Sequence, residues 1–197
     1  MVLFDVYLIS NPTPSPFAFW IIANVVLLPF MSLAFNSFGL ESCLGLDRYA
    51  LLPLSSRETL LSKNLSFVFV AFVLFSTTLP LGIWKLGPSS SIQAVMILIL
   101  AAISYLCYGN WLSVNAPFKM QLYRFASGGS VVDALLGVII GSLPGSLALY
   151  WLYRDEAGAL WKILGLIIVY LAIYVLSLKW SARALERNWE SLRVSLQ

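Results

Sequence analysis

Five stretches of this chain are apolar for the length of a membrane-crossing helix, and its charges gather in the segments between them. A helix needs about 20 consecutive apolar residues to cross the hydrocarbon core of a bilayer. That pattern predicts an all-α fold: a polytopic membrane helix bundle with about five transmembrane helices, built as a single transmembrane domain over residues 1–197. Composition points the same way. Hydrophobic residues make up 60% of the chain and charged residues 11%, whereas a soluble domain carries about 25% charge. Function is then expected in the few polar segments and in helix packing.

Composition also excludes several classes. The chain has no histidine, which removes histidine-ligated metals and histidine general bases. Cys43 and Cys107 lie far apart with no CxxC pair, and read as small apolar residues. The net charge of +3 calls for no nucleic-acid partner. Acidic residues are few and scattered, so no enzyme, metal or cofactor is expected. The phosphate-cradling GxxxxGK[ST] loop is missing from the sequence, so the chain is not expected to hydrolyse ATP.

The spans fall at about 17–40, 64–85, 91–113, 131–153 and 159–182. Basic residues prefer the cytoplasmic side of a membrane. Nine lie in one set of loops (Arg48, Arg57, Lys63, Lys119, Arg124, Lys179, Arg183, Arg187, Arg193) and three in the other (Lys85, Arg154, Lys162). The 41–63 loop, the 114–129 loop and the C-terminal tail are therefore expected in the cytoplasm, and the N-terminus outside. The last span carries an anchor at each end, Trp161-Lys162 and Lys179-Trp180. No signal peptide precedes the first span. An outside N-terminus without one leads us to expect a missing upstream span, and so the later part of a longer protein.

Four polar features stand out. The 36–64 segment contains Ser55-Ser56-Arg57-Glu58, a capping box that starts a short helix over about 56–63, with Pro53 stopping the chain before it. Its leucines suit either an interfacial helix that seals the membrane edge or a docking knob for a cytoplasmic partner. Asn110, Ser113 and Asn115 sit where the third span ends, before Pro117, as side-chain caps would. Gly137, Gly141 and Gly145, spaced by four, form a smooth ridge for close helix packing, with Pro144 as a kink or hinge. Ser76, Thr77 and Thr78 precede Pro80, where their hydroxyls can satisfy freed carbonyls or line a path. Asp133 reads as part of a helix start.

Two of these segments resemble the permease subunits of bacterial ABC-2 type exporters. Asn36, Phe38, Gly39 and Glu41, then Asp47-Arg48, Leu52-Pro53 and Lys63-Asn64, match the first motif in order. Gly109-Asn110, Ser113 and Pro117 match a second. The likeness covers about residues 30–125, and the family's elbow helix and first span have no counterpart here. The resemblance implies a transmembrane permease of an ATP-driven exporter in the bacterial cytoplasmic (inner) membrane. Its partners would be a separate ABC ATP-binding subunit and a second permease copy or half. The 41–63 loop would be the coupling helix, with Asp47, Arg48, Pro53, Arg57, Glu58, Leu60 and Lys63 as its partner-coupling residues, Arg57 and Leu60 making the contacts. The competing expectation is a small non-catalytic membrane scaffold that binds a cytoplasmic partner through the same loop.

Overall fold

A computed structural model describes residues 34–38, 51–116, 131–154 and 156–195. These form three helices, α1 (Ser56–Asn115), α2 (Val131–Arg154) and α3 (Glu156–Ser195), and among the described residues there is no strand. Three helical stretches are long and apolar enough to cross a membrane: Gly87–Asn115, Leu135–Leu152 and Ala157–Leu192. The expected first span lies outside the described residues apart from 34–38, as do Asp47 and Arg48.

α1 begins as the sequence predicts. Ser55 is the N-cap; its hydroxyl accepts from the Glu58 backbone N–H at 3.3 Å, and its own N–H donates to Glu58 Oε2 at 2.7 Å. The pair satisfies two amides that a helix start otherwise leaves without partners.

A single residue divides α1. Gly87 has φ 79° and ψ 165°, in the positive-φ region that a side chain disfavours, and Pro88 follows it. A straight helix would hold Asn64 and Asn110 about 69 Å apart at 1.5 Å per residue, yet their side chains touch at 2.8 Å. The limbs 56–86 and 88–115 therefore fold back on each other, with Gly87 midway between the two asparagines. They are helical where spans were expected at 64–85 and 91–113, and of the two only the second limb is among the three stretches long and apolar enough to cross a membrane.

The short helix expected over 56–63 runs without a break into the rest of the first limb. Leu60, Asn64, Phe67 and Ala71 are all buried. Their spacing of i, i+4, i+7 and i+11 is one face of one helix, so a single inward stripe runs unbroken from the capped start into the apolar limb.

Three clusters of side chains order the bundle. At one end Ile97 and Leu100 of the second limb meet Ala148, Leu149 and Leu152 of α2 and Ala159 and Ile163 of α3. In the middle Phe67 and Ala71 pack with Ala101, Tyr105 and Phe35. At the other end Leu60 and Val114 meet Phe38 and the α3 residues Leu178, Ala182, Leu185 and Leu192. The second limb and α3 thus ascend side by side, while α2 runs against them. This alternation is what short connections between successive helices produce.

The glycine ridge of α2 faces inward, with Gly137, Gly141 and Gly145 all buried. At two of the three, what rests there is an aromatic ring. A β-carbon on Gly137 would fall 2.3 Å from the Phe35 ring, and one on Gly141 1.9 Å from the Tyr105 ring. α2 continues through Pro144. Asp133 lies in its first turn, as expected.

Candidate functional site

The inward stripe of the first limb ends in polar chemistry. The Asn64 side-chain amide donates to Asn110 Oδ1 at 2.8 Å and to the Tyr174 hydroxyl at 3.0 Å. Asn64 and Asn110 are both buried. One turn further along the second limb, the Ser113 hydroxyl donates to the Asn110 backbone carbonyl at 3.4 Å. One turn before Asn110, the Cys107 carbonyl accepts from the Ser177 hydroxyl at 2.7 Å, and the Cys107 thiol contacts the Tyr170 carbonyl at 3.9 Å. Both α1 limbs and α3 are tied together here by neutral hydrogen bonds.

Three of the segments that carry the family resemblance converge on this node. Gly109 abuts the backbone of the 34–38 segment, at its helical residue Ala34: a β-carbon on Gly109 would sit 2.2 Å from the Ala34 carbonyl oxygen. Asn36 is buried beside it in sequence. Lys63, next to Asn64, holds its ammonium 5.8 Å from the Phe38 ring centroid, within the range of a cation–π contact. Phe35 packs edge-on against Tyr108 with ring centroids 5.3 Å apart. Asn36-x-Phe38, Lys63-Asn64 and Gly109-Asn110, far apart in the chain, become neighbours.

Asn110 gives the node its distinctive chemistry. Its Nδ2 is buried and has no hydrogen-bond partner among the described residues. Leaving a buried amide donor unsatisfied costs about 1–3 kcal/mol. Asn110 is thus a tertiary contact rather than a helix cap; Ser113 bonds back within its own helix, and the capping falls to Asn115, whose amide donates to the Trp111 carbonyl at 2.8 Å, and to the Ala116 N–H on the Leu112 carbonyl at 2.9 Å.

The proposed coupling residues separate into two groups. Pro53, Arg57 and Glu58 are exposed, as are Leu51, Leu52, Leu54 and Leu61 around them. Leu60 is 0% exposed, locked against Phe38, Val114 and Leu178. Its side chain cannot be offered to another protein, which corrects the expectation that it makes the contact; Leu61, one position on, points out instead. Lys63 is half-buried over Phe38. The Ser55 backbone N–H and then its hydroxyl hold the Glu58 carboxyl below its ordinary 4.5, so Glu58 belongs to the helix start.

Sequence reasoning missed α3 altogether as a contributor. Tyr170, Tyr174, Ser177 and Ser181 recur at helical spacing along an otherwise aliphatic helix, and that row was the available signal. Ser76, in the row before Pro80, donates to the Val73 carbonyl at 2.9 Å and faces outward. Among the described residues no group of histidine, cysteine and carboxylate side chains could hold a metal ion. No protein-family model matches the chain, and no curated protein or solved structure matches it.

Proposed function

We propose that this chain is a transmembrane permease subunit of an ATP-driven ABC exporter, coupling a separate ATPase to movement of its spans. One observation carries the reading: three of the motif segments meet at the Asn64–Asn110 bond, directly above the capped start of α1. A push on the exposed Arg57 end would travel along a continuous helix, and Asn64 lies two turns from Arg57 on that helix. Any motion of the first limb must therefore be shared with the second limb and α3, or break the node. The exposed Arg57, with Leu54 and Leu61 beside it in sequence, offers one cation among apolar side chains, the composition that makes protein contacts. The 41–63 loop would face the cytoplasm, in keeping with the basic bias.

The test is co-purification of an ABC ATPase subunit encoded beside this chain. Arg57→Glu with Leu61→Asp should abolish association, because a few central contacts dominate docking, while membrane insertion is kept. Undiminished association would reject this surface as the coupling site. Recovery of a different cytoplasmic protein through the same surface would favour the scaffold reading.

A further inference from the structure

α3 is far longer than a bilayer requires, and its outward face changes character along its length. Trp161 and Trp180 are both exposed and lie nineteen residues apart, about 28 Å at 1.5 Å per residue, which matches a hydrocarbon core of about 30 Å. The helix then continues to Ser195. At 100° per residue, Gly165, Ile168, Ala172, Leu176, Lys179 and Arg183 fall within one arc of about 80°, and all six are exposed. No atom lies within 4 Å of where a Gly165 β-carbon would be. With Ala172 two turns on, the face has a shallow, smooth track between Ile168 and Leu176. It ends at two cations.

Those cations have no partner among the described residues. Neither Lys179 nor Arg183 makes an ion pair or hydrogen bond with a described residue. The carboxylates on the same exposed side, Glu186 and Glu190, come later in the helix. Measured along the axis from Lys179, Arg183 stands about 6 Å further out, Glu186 about 10 Å, Arg187 about 12 Å and Glu190 about 16 Å. The headgroup layer on each side of a bilayer is about 5–8 Å deep. Lys179 and Arg183 therefore lie within it, and both glutamates and Arg187 lie beyond it.

We propose that this face binds one anionic phospholipid, with an acyl chain along the Gly165–Leu176 track and the phosphate held between Lys179 and Arg183. The site rests on the reading of α3 as a membrane span. Exposed Trp180 completes it, since an amphipathic ring at headgroup depth bounds the bound lipid. The charge match is what selects the occupant: two unpaired cations, one helical turn apart above an aliphatic track, suit a phosphate with an acyl tail better than they suit a zwitterionic headgroup, which brings its own cation.

The experiment reconstitutes the full chain into vesicles of equal phosphatidylglycerol and phosphatidylcholine, confirms insertion by flotation, and counts retained lipids by native mass spectrometry. Phosphatidylglycerol should be retained preferentially. Lys179→Gln and Arg183→Gln should each lower that preference roughly five-fold, and Arg187→Gln and Lys162→Gln should leave it unchanged. No preference in the parent protein, or an equal loss in Lys162→Gln or Arg187→Gln, would show diffuse surface charge and overturn the site. A chain that does not float with the vesicles would overturn the span reading and the site with it, whereas flotation without preference removes the site alone.

Discussion

Asn64 and Asn110, separated by 46 residues and placed evenly about Gly87, are joined by a 2.8 Å hydrogen bond in the buried seam between the two limbs of α1. The bond is the closure of the hairpin. Because Asn64 also donates to Tyr174, it ties α3 to the same point.

That relationship predicts a specific pattern of stabilities. Interhelical hydrogen bonds in membrane proteins contribute about 0.6 kcal/mol on average and up to about 1.7. Asn64→Leu alone leaves the buried Asn110 side-chain oxygen Oδ1 without its donor, so it should cost about 1–3 kcal/mol. Asn64→Leu with Asn110→Leu removes both partners and the partnerless Asn110 amide, and should be close to neutral. Reversible unfolding in mixed detergent, analysed as a double-mutant cycle, measures this; equal losses for the single and double changes would deny the pairing.

Crowding at the glycines should separate three positions. Gly109→Ala meets the Ala34 backbone at 2.2 Å, where nothing can swing aside, and Gly141→Ala meets the Tyr105 ring at 1.9 Å. Both should lower stability by about 1–3 kcal/mol, the usual range for overpacking, with Gly109→Ala the worse. Gly165→Ala meets nothing and should hold or raise stability, since alanine is the better helix former by about 1 kcal/mol. Thermal unfolding of the three variants in one detergent decides the order.

The capped start of α1 should depend on pH. Glu58 is held below its ordinary 4.5 by hydrogen bonds from Ser55, so the folded state favours the carboxylate. The stabilisation is complete above 4.5 and is lost as pH falls through the lower folded value. Hydrogen exchange at the amides of Ser55, Glu58 and Thr59 should therefore lose protection in acid. Glu58→Gln should flatten that dependence, and an unchanged acid response in the variant would point to another group.

Orientation is the last expectation. With native Cys43 and Cys107 replaced by serine, Arg154→Cys should react with an impermeant thiol reagent added to intact cells, and Arg57→Cys should react only after lysis. Labelling of Arg57→Cys in intact cells would invert the bundle.

Much of the helical frame could be read directly. Chain-wide apolarity determined the helical class, because a bilayer leaves the backbone few other ways to satisfy its hydrogen bonds. Ser55 and Glu58 marked the start of α1 by purely local chemistry, whereas Gly87-Pro88, which makes its break, went unremarked between the spans expected at 64–85 and 91–113. Facing was a different matter. Leu60 read as exposed and is buried, and Tyr174 and Ser177 went unremarked although they tie α3 to the node. The glycines of α2 were legible as small, but not as seats for the rings of Phe35 and Tyr105. In a soluble helix, polar and apolar faces announce which side turns inward. In a membrane helix the lipid side and the protein side are equally apolar, so the periodicity that reveals the helix says little about its facing. Only the tertiary structure, by bringing Asn64, Asn110 and Tyr174 within hydrogen-bond distance, decided which face is the inside.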